Sequence, residues 1–205
     1  MYISHFGLTN FRNFSDLQID FTPGTTILFG DNAQGKSSLL EAMYVLAVAK
    51  SPRAENEHEV VSWASNNYTT DTVVVGTISR ATREIKILVG YRPDTTHNIN
   101  VQANDASKIR KHIQVEGVRR TATDLLGTFN AVLFTAEDIR LIFGPAAMRR
   151  RYLDILLSQL DSVYLRTLQR YNRVMLHRNK LLKLLQEKRA EFDELSYWDQ
   201  ELSQH

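Results

Sequence analysis

The sequence lacks several features that define large classes of proteins. It contains no cysteine in 205 residues, which excludes disulfide bonds and thiolate metal sites. Its apolar runs, such as Met43 to Ala49, are far too short to span a bilayer, and no basic segment followed by an apolar stretch opens the chain. The six histidines are scattered without the spacing of metal ligands. A cytoplasmic protein with no membrane partner is therefore expected.

Charge of one sign is also scarce, because the formal net charge is only +2. A strong electrostatic field around the whole molecule is thus not expected. Basic residues are nevertheless concentrated between residues 108 and 151, which makes this segment a candidate surface for phosphates, either of nucleic acid or of a nucleotide on another subunit. A solvated surface of mixed charge explains the same pattern equally well. The candidate phosphate contacts, and thus the candidate nucleic-acid contacts, are Lys108, Arg110, Lys111, Arg149, Arg150 and Arg151.

Residues 30 to 37 read G-D-N-A-Q-G-K-S, which is the spacing of a phosphate-binding loop. The apolar, β-branched run Thr25 to Phe29 precedes the loop and predicts a strand buried in a parallel sheet. Apolar residues follow at helical spacing and predict one buried helix face: Leu39, Leu40, Met43, Leu46 and Ala47. Strand, loop and helix in this order indicate a nucleoside triphosphate site rather than a chance glycine-rich turn.

Each residue type in this loop has a physical role. Gly30 and Gly35 permit backbone angles closed to other residues, so that successive N–H groups can turn toward an anion. The dipole of the following helix favours negative charge at the same place. Lys36 is suited to the β- and γ-phosphates, and the Ser37 hydroxyl is placed to bind Mg²⁺.

The first half of the chain shows mainly strand patterns. Leu17, Ile19 and Phe21 alternate with polar residues, and residues 2 to 8 suggest a partner strand. The segments 73–78 and 84–91 predict a hairpin. Residues 113–118 predict a further strand, and Ala131 to Phe134 predict a short apolar one.

From Pro145 the pattern becomes helical. Pro145 is expected to open a basic amphipathic helix, and Asp161-Ser162 is expected to cap the next one. That helix carries a heptad seam, which predicts a long helix with an antiparallel partner beginning around residues 192–202. The seam consists of Tyr164, Leu168, Tyr171, Met175, Arg178, Leu182 and Leu185.

Four stretches carry a resemblance to a known family. They are L-T-N-F-R-N-F at 8–14, G-D-N-A-Q-G-K-S-S-L-L-E-A at 30–42, V-L-F-T-A-E-D-I at 132–139 and R-R-R-Y-L-D-I-L-L-S-Q-L-D at 149–161. In this order they resemble the N-terminal part of the bacterial RecF family, over essentially the whole chain. The last two stretches are more specific than the phosphate loop alone.

The resemblance implies an α/β fold, namely a P-loop ATPase head lobe of the ABC type, related to SMC and Rad50 proteins, with an antiparallel β subdomain. The head lobe would span residues 1–144, and residues 145–205 would form a helical segment that starts a second lobe and a coiled-coil arm. Such heads bind ATP and Mg²⁺, form ATP-dependent homodimers and grip DNA. The family acts in recombinational repair of gapped or junction DNA, with RecO and RecR, and promotes RecA loading at the nucleoid.

The resemblance also transfers roles to single positions. The nucleotide site would comprise Arg12, Asn13, Gly30, Asp31, Asn32, Ala33, Gln34, Gly35, Lys36, Ser37 and Ser38. Ser37 would bind the metal, with Glu137 as a second candidate and Asp138 beside it. Arg53 lies where the family reads S-H-R, but Pro52 replaces the histidine here, so its role is open.

Two family motifs are absent from these residues. The chain contains no Gly-Gly pair for the signature loop, and no apolar strand that ends directly in Asp-Glu follows the heptad helix. The sequence is therefore expected to be an N-terminal fragment that lacks the C-terminal half of the head. Lys36 would stabilise phosphate charge, but no catalytic residue lies in this part. We expect weak nucleotide binding and negligible hydrolysis from these residues alone, whereas the full-length family member would be a weak, DNA-stimulated ATPase.

Two other functions share parts of this pattern. A structural DNA clamp of the SMC or Rad50 type would bind ATP without needing turnover. A small-molecule P-loop kinase would share residues 30–37, but it would need an arginine-bearing lid and has no place for the heptad helix.

Overall fold

The structure, a computed structural model, describes residues 1–61, 71–93, 109–187, 189 and 193–203. The chain divides into two compact units, residues 1–139 and 140–205. This division lies a few residues before the predicted domain boundary at residue 144, and the assignment of the second unit to a lobe and an arm stays a prediction.

The first unit is built on a six-stranded antiparallel sheet with the strand order β2-β1-β3-β4-β5-β6. The strands are β1 (Tyr2–Phe11), β2 (Phe14–Asp20), β3 (Thr72–Ser79), β4 (Glu84–Pro93), β5 (Ile109–Val115) and β6 (Val118–Arg120). The pairing of β1 with β2 and of β3 with β4 confirms the predicted strands and hairpin. The antiparallel β subdomain predicted from the sequence is therefore present.

The predicted strand at 113–118 is wrong in one respect, because two strands meet there. β5 ends at Val115 and β6 begins at Val118. Glu116 and Gly117 between them have φ angles of 54° and 73°. Positive φ at both central residues is typical of the two-residue turn that joins antiparallel strands, so the chain reverses at this point.

Helix α1 (Lys36–Val48) covers one face of the sheet and contacts β1, β3 and β4. Leu39, Ala42, Val45 and Leu46 are buried on its inner side. Gly76 in β3 permits the close approach, because a Cβ there would overlap Leu46 Cδ1. The predicted apolar face is partly wrong: Leu40 is almost half exposed, and the carboxylate of Glu41 is buried instead.

Both predicted short apolar strands are wrong within the described residues. The segments 25–29 and 131–134 take part in no strand ladder there. Their large side chains are mostly accessible, with exposed fractions of 78% for Ile27, 92% for Phe29, 70% for Val132 and 76% for Phe134. A strand requires a hydrogen-bonded neighbour, and the described sheet offers none to these two segments.

Short helices complete the first unit. A 3₁₀ turn spans Glu57–Val60, and α2 (Ala122–Leu125) begins after Thr121, whose side chain accepts a hydrogen bond from the Asp124 N–H. A second 3₁₀ turn spans Ala136–Ile139.

The second unit contains α3 (Arg140–Phe143), α4 (Ala146–Leu160), α5 (Ser162–Gln186) and α6 (Asp193–Ser203). Pro145 is the N-cap of α4 and not its first helical residue as predicted, so the helix begins one residue later, at Ala146. The predicted cap of α5 is confirmed, because Asp161 Oδ1 accepts a hydrogen bond of 2.7 Å from the Val163 N–H. None of the described helices contains an apolar stretch of the length that a bilayer requires.

Helix α5 packs against both α4 and α6, and this shifts its buried side chains away from the predicted heptad seam. The buried residues are Leu165, Val174 and Leu181, none of which belongs to that seam. Of the seam itself, Tyr171 and Leu182 are exposed, and its other five residues are half-buried. A helix with two neighbours buries a different set of residues from a helix with one, which explains the difference.

The predicted antiparallel partner of α5 is present as α6, although Phe192 lies outside the described residues. Arg170 of α5 pairs with Glu201 at 2.7 Å, and Arg178 pairs with Asp199 at 2.6 Å. The rings of His177 and Trp198 stack with their centroids 4.9 Å apart.

Candidate nucleotide-binding site

The loop at residues 30–35 combines three positive φ angles before α1 begins. They are 142° at Gly30, 65° at Ala33 and 94° at Gly35. Gly35 also has a steric reason to be glycine, since a Cβ there would lie 2.5 Å from Asn13 Nδ2 and 2.7 Å from Phe14 Cζ. The sequence therefore folds locally into an exposed loop that only glycine allows at its junction with the helix.

The N-terminus of α1 is left without a side-chain cap. Gly35 is the N-cap residue, and the first turn contains no acidic residue. The N–H groups of the first turn and the positive end of the helix dipole are thus not engaged by a capping carboxylate or hydroxyl of the helix itself. This is the arrangement that accepts an anion such as a phosphate.

The Lys36 side chain folds back over the same loop. Its Nζ donates hydrogen bonds to the carbonyl oxygens of Gly30 at 2.8 Å and Asp31 at 2.5 Å. The Lys36 ammonium group is therefore held against the first two residues of the loop. Ser37 is exposed and Ser38 half-buried in the first turn of α1.

The turn between β1 and β2, which carries Arg12 and Asn13, contacts this loop through Asn13. The Asn13 side chain lies directly against Gly35. The Arg12 guanidinium, in contrast, donates a 2.7 Å hydrogen bond to Glu41 Oε1 in α1. The structure thus brings Asn13 to the loop and anchors Arg12 on the side of α1.

Sequence reasoning missed Glu41, which is the centre of a buried polar cluster. Its carboxylate accepts hydrogen bonds from Arg12 and from Ser51 Oγ, the latter at 2.5 Å, and Arg53 Nη1 lies 3.5 Å from Glu41 Oε2. One signal could have revealed it: an acidic residue at 41 interrupts the apolar pattern of the helix, and a buried carboxylate requires cationic partners.

The predicted metal ligands have different surroundings. Asp138 accepts hydrogen bonds from the Thr135 N–H at 2.5 Å and from Thr135 Oγ1 at 3.0 Å, so it caps its own turn. Glu137 is exposed. Within the described part of the chain, no three histidine, aspartate or glutamate side chains lie together as candidate metal ligands. Ser37 and Glu137 stay predicted ligands.

The predicted DNA contacts fall in both units, and Lys108 lies outside the described residues. Arg110 and Lys111 belong to β5, where Lys111 pairs with Glu57 and lies 5.5 Å from the centroid of the Tyr91 ring. Arg149 donates to the carbonyl oxygens of Leu141 at 3.2 Å and Gly144 at 2.9 Å, so it braces the turn before α4. Arg150 and Arg151 are exposed on α4, with no partner among the described residues. A contact between any of these residues and DNA stays a prediction.

Comparison with known proteins agrees with the geometry of the loop and sheet. Residues 7–204 match the model of the AAA domain family. The chain is 40% identical to the DNA replication and repair protein RecF of Chloroflexus aurantiacus, over 99% of this chain and 53% of that protein. It is 38% identical to RecF of Roseiflexus castenholzii, over 99% of this chain and 52% of that protein. The chain thus spans about half the length of the curated relatives it matches.

Solved structures of RecF and of an SMC ATPase superpose on this chain. A structure of the recombination mediator protein RecF-ATP in the RecFOR pathway superposes with a TM-score of 0.83 and 32% identity, over 99% of this chain and 50% of that one. A structure concerned with ATP-driven dimerization and DNA-stimulated activation of SMC ATPases has a TM-score of 0.54 and 20% identity, over 76% of this chain and 99% of that one, and shares the fold. The chain belongs to the AAA domain family and, within it, groups with the RecF proteins, of which it spans about half the length.

Proposed function

We propose that this protein binds ATP with Mg²⁺ at residues 30–38 and uses the bound nucleotide to control its grip on DNA during recombinational repair. The observation that carries the proposal is the loop itself: an uncapped helix N-terminus, three positive φ angles and the Lys36 ammonium lie together in one exposed segment. The relatives are named DNA replication and repair proteins, and one solved relative is a RecF-ATP structure.

The chemistry of the loop fits a triphosphate. Phosphate oxygens would take the place of the carbonyl oxygens that Lys36 now contacts, and the first N–H groups of α1 would donate to them. The Ser37 hydroxyl would hold Mg²⁺, whose charge would offset that of the phosphates. Asn13, packed against Gly35, would approach the nucleotide from the side of the sheet.

Phosphoryl transfer depends on positioning groups that these residues do not supply in full. We therefore infer that the protein of full family length is a weak, DNA-stimulated ATPase, in which two copies share ATP in a homodimer. Gapped or junction DNA would be its substrate in the cytoplasm, with RecO and RecR as partners in RecA loading. The solved SMC relative, described by ATP-driven dimerization and DNA-stimulated activation, supports this form of the proposal by its fold.

The test is retention of a gapped DNA duplex by the protein expressed from its whole reading frame. Retention is measured with ATP, with a slowly hydrolysed ATP analogue and without nucleotide, for the parent protein and for Lys36→Ala. We expect retention with ATP and its loss in Lys36→Ala, whereas equal retention in all conditions would contradict the proposal. Retention with the analogue alone distinguishes a clamp that needs only ATP binding from a machine that needs turnover.

A further inference from the structure

A single buried carboxylate connects α1 with the segments that precede and follow it in the chain. Glu41 is the only acidic side chain among the described residues that is buried. It lies on α1, between the turn that carries Arg12 and the segment after the helix that carries Ser51 and Arg53. Burial of an ionised carboxylate is unfavourable unless cations and hydrogen-bond donors surround it. The charge of the buried Glu41 carboxylate is therefore offset by Arg12, Arg53 and Ser51.

The cluster carries more positive than negative charge. Two guanidinium groups share one carboxylate, so one net positive charge remains. The Arg12 side chain is 16% exposed and the Arg53 side chain 46% exposed. Arg12 Nε is buried without a hydrogen-bond partner. The pair thus retains donors beyond those that Glu41 engages, and Arg53 presents them to solvent.

Ser51 fixes Arg53 in this arrangement. Its Oγ donates to Glu41 and accepts hydrogen bonds from the N–H groups of Arg53 at 3.1 Å and Ala54 at 2.9 Å. The backbone of Arg53 is therefore tied to the same carboxylate that its guanidinium approaches. A merely solvated arginine would need no such tie.

The position of the cluster relates it to the loop. Arg12 precedes Asn13, whose side chain lies against Gly35. Glu41 follows Lys36 by five residues on the same helix, which is a rise of about 7.5 Å. The cluster thus lies along the first turns of the helix whose N-terminus forms the loop.

We propose that Glu41 is a positioning residue, which holds the guanidiniums of Arg12 and Arg53 beside the loop so that they contribute to binding a nucleoside triphosphate. This inference rests on the proposed function. Guanidinium groups pair with phosphate oxygens in a fixed planar geometry, so their orientation decides how well they bind. Without the carboxylate, the two like charges repel one another and their orientation is lost.

The test measures the Kd of a fluorescent MgATP analogue on the protein expressed from its whole reading frame. The variants are Glu41→Gln, which keeps the shape but removes the charge, Arg53→Ala, and the two together. Glu55→Gln is the control, because it removes an exposed carboxylate two residues from Arg53. We expect Glu41→Gln to weaken binding by about tenfold, since a hydrogen bond to a charged group is worth at least that factor.

Coupling separates positioning from plain stabilisation. If Glu41 acts through Arg53, the double variant binds about as weakly as the weaker single variant, because the two changes are not independent. A lowered melting temperature with an unchanged Kd, or effects on the Kd that multiply, would overturn the inference. An unchanged Kd in Glu41→Gln would overturn it while the parent protein still binds, which leaves the proposed function intact. No binding by the parent protein would overturn both.

If Glu41→Gln fails to fold, variants of the half-exposed Arg53 and of Ser51, which binds the Arg53 backbone, test the inference instead. Arg53→Ala is then expected to weaken binding by about threefold or more, and Ser51→Ala to weaken it in the same direction by less. An unchanged Kd in both variants would overturn the inference.

Discussion

At the residue scale, Gly35 is limited by its backbone and by its neighbours at once. Its φ of 94° disfavours any L-amino acid, and a Cβ would collide with Asn13 and Phe14. Gly24 has a comparable φ of 122° with nothing within 4 Å of a Cβ. The two positions therefore separate backbone strain from contact with the β1–β2 turn.

We predict that Gly35→Ala lowers the free energy of unfolding by more than Gly24→Ala does. The backbone cost of about 1 kcal/mol is common to both, and displacement of Asn13 and Phe14 adds about 1–3 kcal/mol at Gly35. Urea denaturation of both variants measures the difference. Equal losses would mean that the turn does not pack on the loop as described.

His112 gives a second test at this scale, through pH. Its ring lies against Gly90 on the neighbouring strand, and burial, followed by the nearby Arg92, lowers the pKa of His112. Asp71 opposes this shift and Arg119 adds to it. The folded chain therefore keeps this ring neutral at pH values where the unfolded chain protonates it.

We predict that stability falls as the pH drops below about 6.5, the ordinary pKa of histidine, and that His112→Gln reduces this loss. The sign follows because the unfolded state binds more protons than the folded state in this range. Denaturation midpoints between about pH 7 and pH 5 measure it. A parent protein and a variant with the same pH dependence would show that another group is responsible.

At the scale of secondary-structure elements, adjacent arginines on α4 have different surroundings. Arg149 braces the preceding turn through two carbonyl oxygens, whereas Arg150 is exposed without a partner among the described residues. Neighbouring residues on a helix point about 100° apart, so a single surface cannot use all of Arg149, Arg150 and Arg151 alike.

We predict that Arg150→Ala flattens the salt dependence of DNA binding by about one unit of slope, while Arg149→Ala lowers stability and leaves the slope unchanged. The measurement is the DNA Kd over a range of salt concentrations for both variants, with melting temperatures as the control. An unchanged slope in Arg150→Ala would remove this residue from the DNA surface.

Some strands and helices could be predicted from the sequence, and others could not. The hairpins 2–20 and 72–93 were predictable because their strands alternate and pair with near neighbours in the chain. The segments 25–29 and 131–134 have equally good strand composition, but composition does not reveal whether a neighbouring strand exists. The heptad seam of α5 was right only in part, because the pattern does not show how many helices pack on the helix.

The candidate site divides in the same way. The conformation of the loop at residues 30–35 was predictable, since its residues are contiguous and its glycines have steric reasons. The Glu41 cluster was not, because it unites residues 12, 41, 51 and 53, whose contact depends on how α1 lies on the sheet. Asn13 was assigned by resemblance alone, and its packing on Gly35 emerges only in three dimensions.

At the scale of the whole molecule, the exposed segments 25–29 and 131–134 are a liability for these 205 residues by themselves. Ile27, Phe29, Val132 and Phe134 expose most of their apolar surface, and the relatives are about twice as long. Extended apolar backbone without a neighbouring strand favours association.

We predict that residues 1–205 alone bind a hydrophobic dye and self-associate, and that co-expression with the remaining half of a RecF relative reduces both. Light scattering measures self-association and dye fluorescence measures exposed apolar surface. The double variant Phe29→Ser with Phe134→Ser, which removes two exposed apolar side chains, is the matched control. A monodisperse chain that binds no dye would show that these segments are covered in solution. We also expect negligible ATP hydrolysis by residues 1–205, and DNA-stimulated turnover by them would contradict this.

Titration calorimetry with MgATP shows whether the loop at residues 30–38 receives a nucleoside triphosphate. The protein expressed from its whole reading frame is predicted to bind MgATP saturably, at one site per chain, and Lys36→Ala is predicted to abolish this binding while the melting temperature without nucleotide stays unchanged. No saturable binding by the parent protein, or equal binding by Lys36→Ala, would contradict the account.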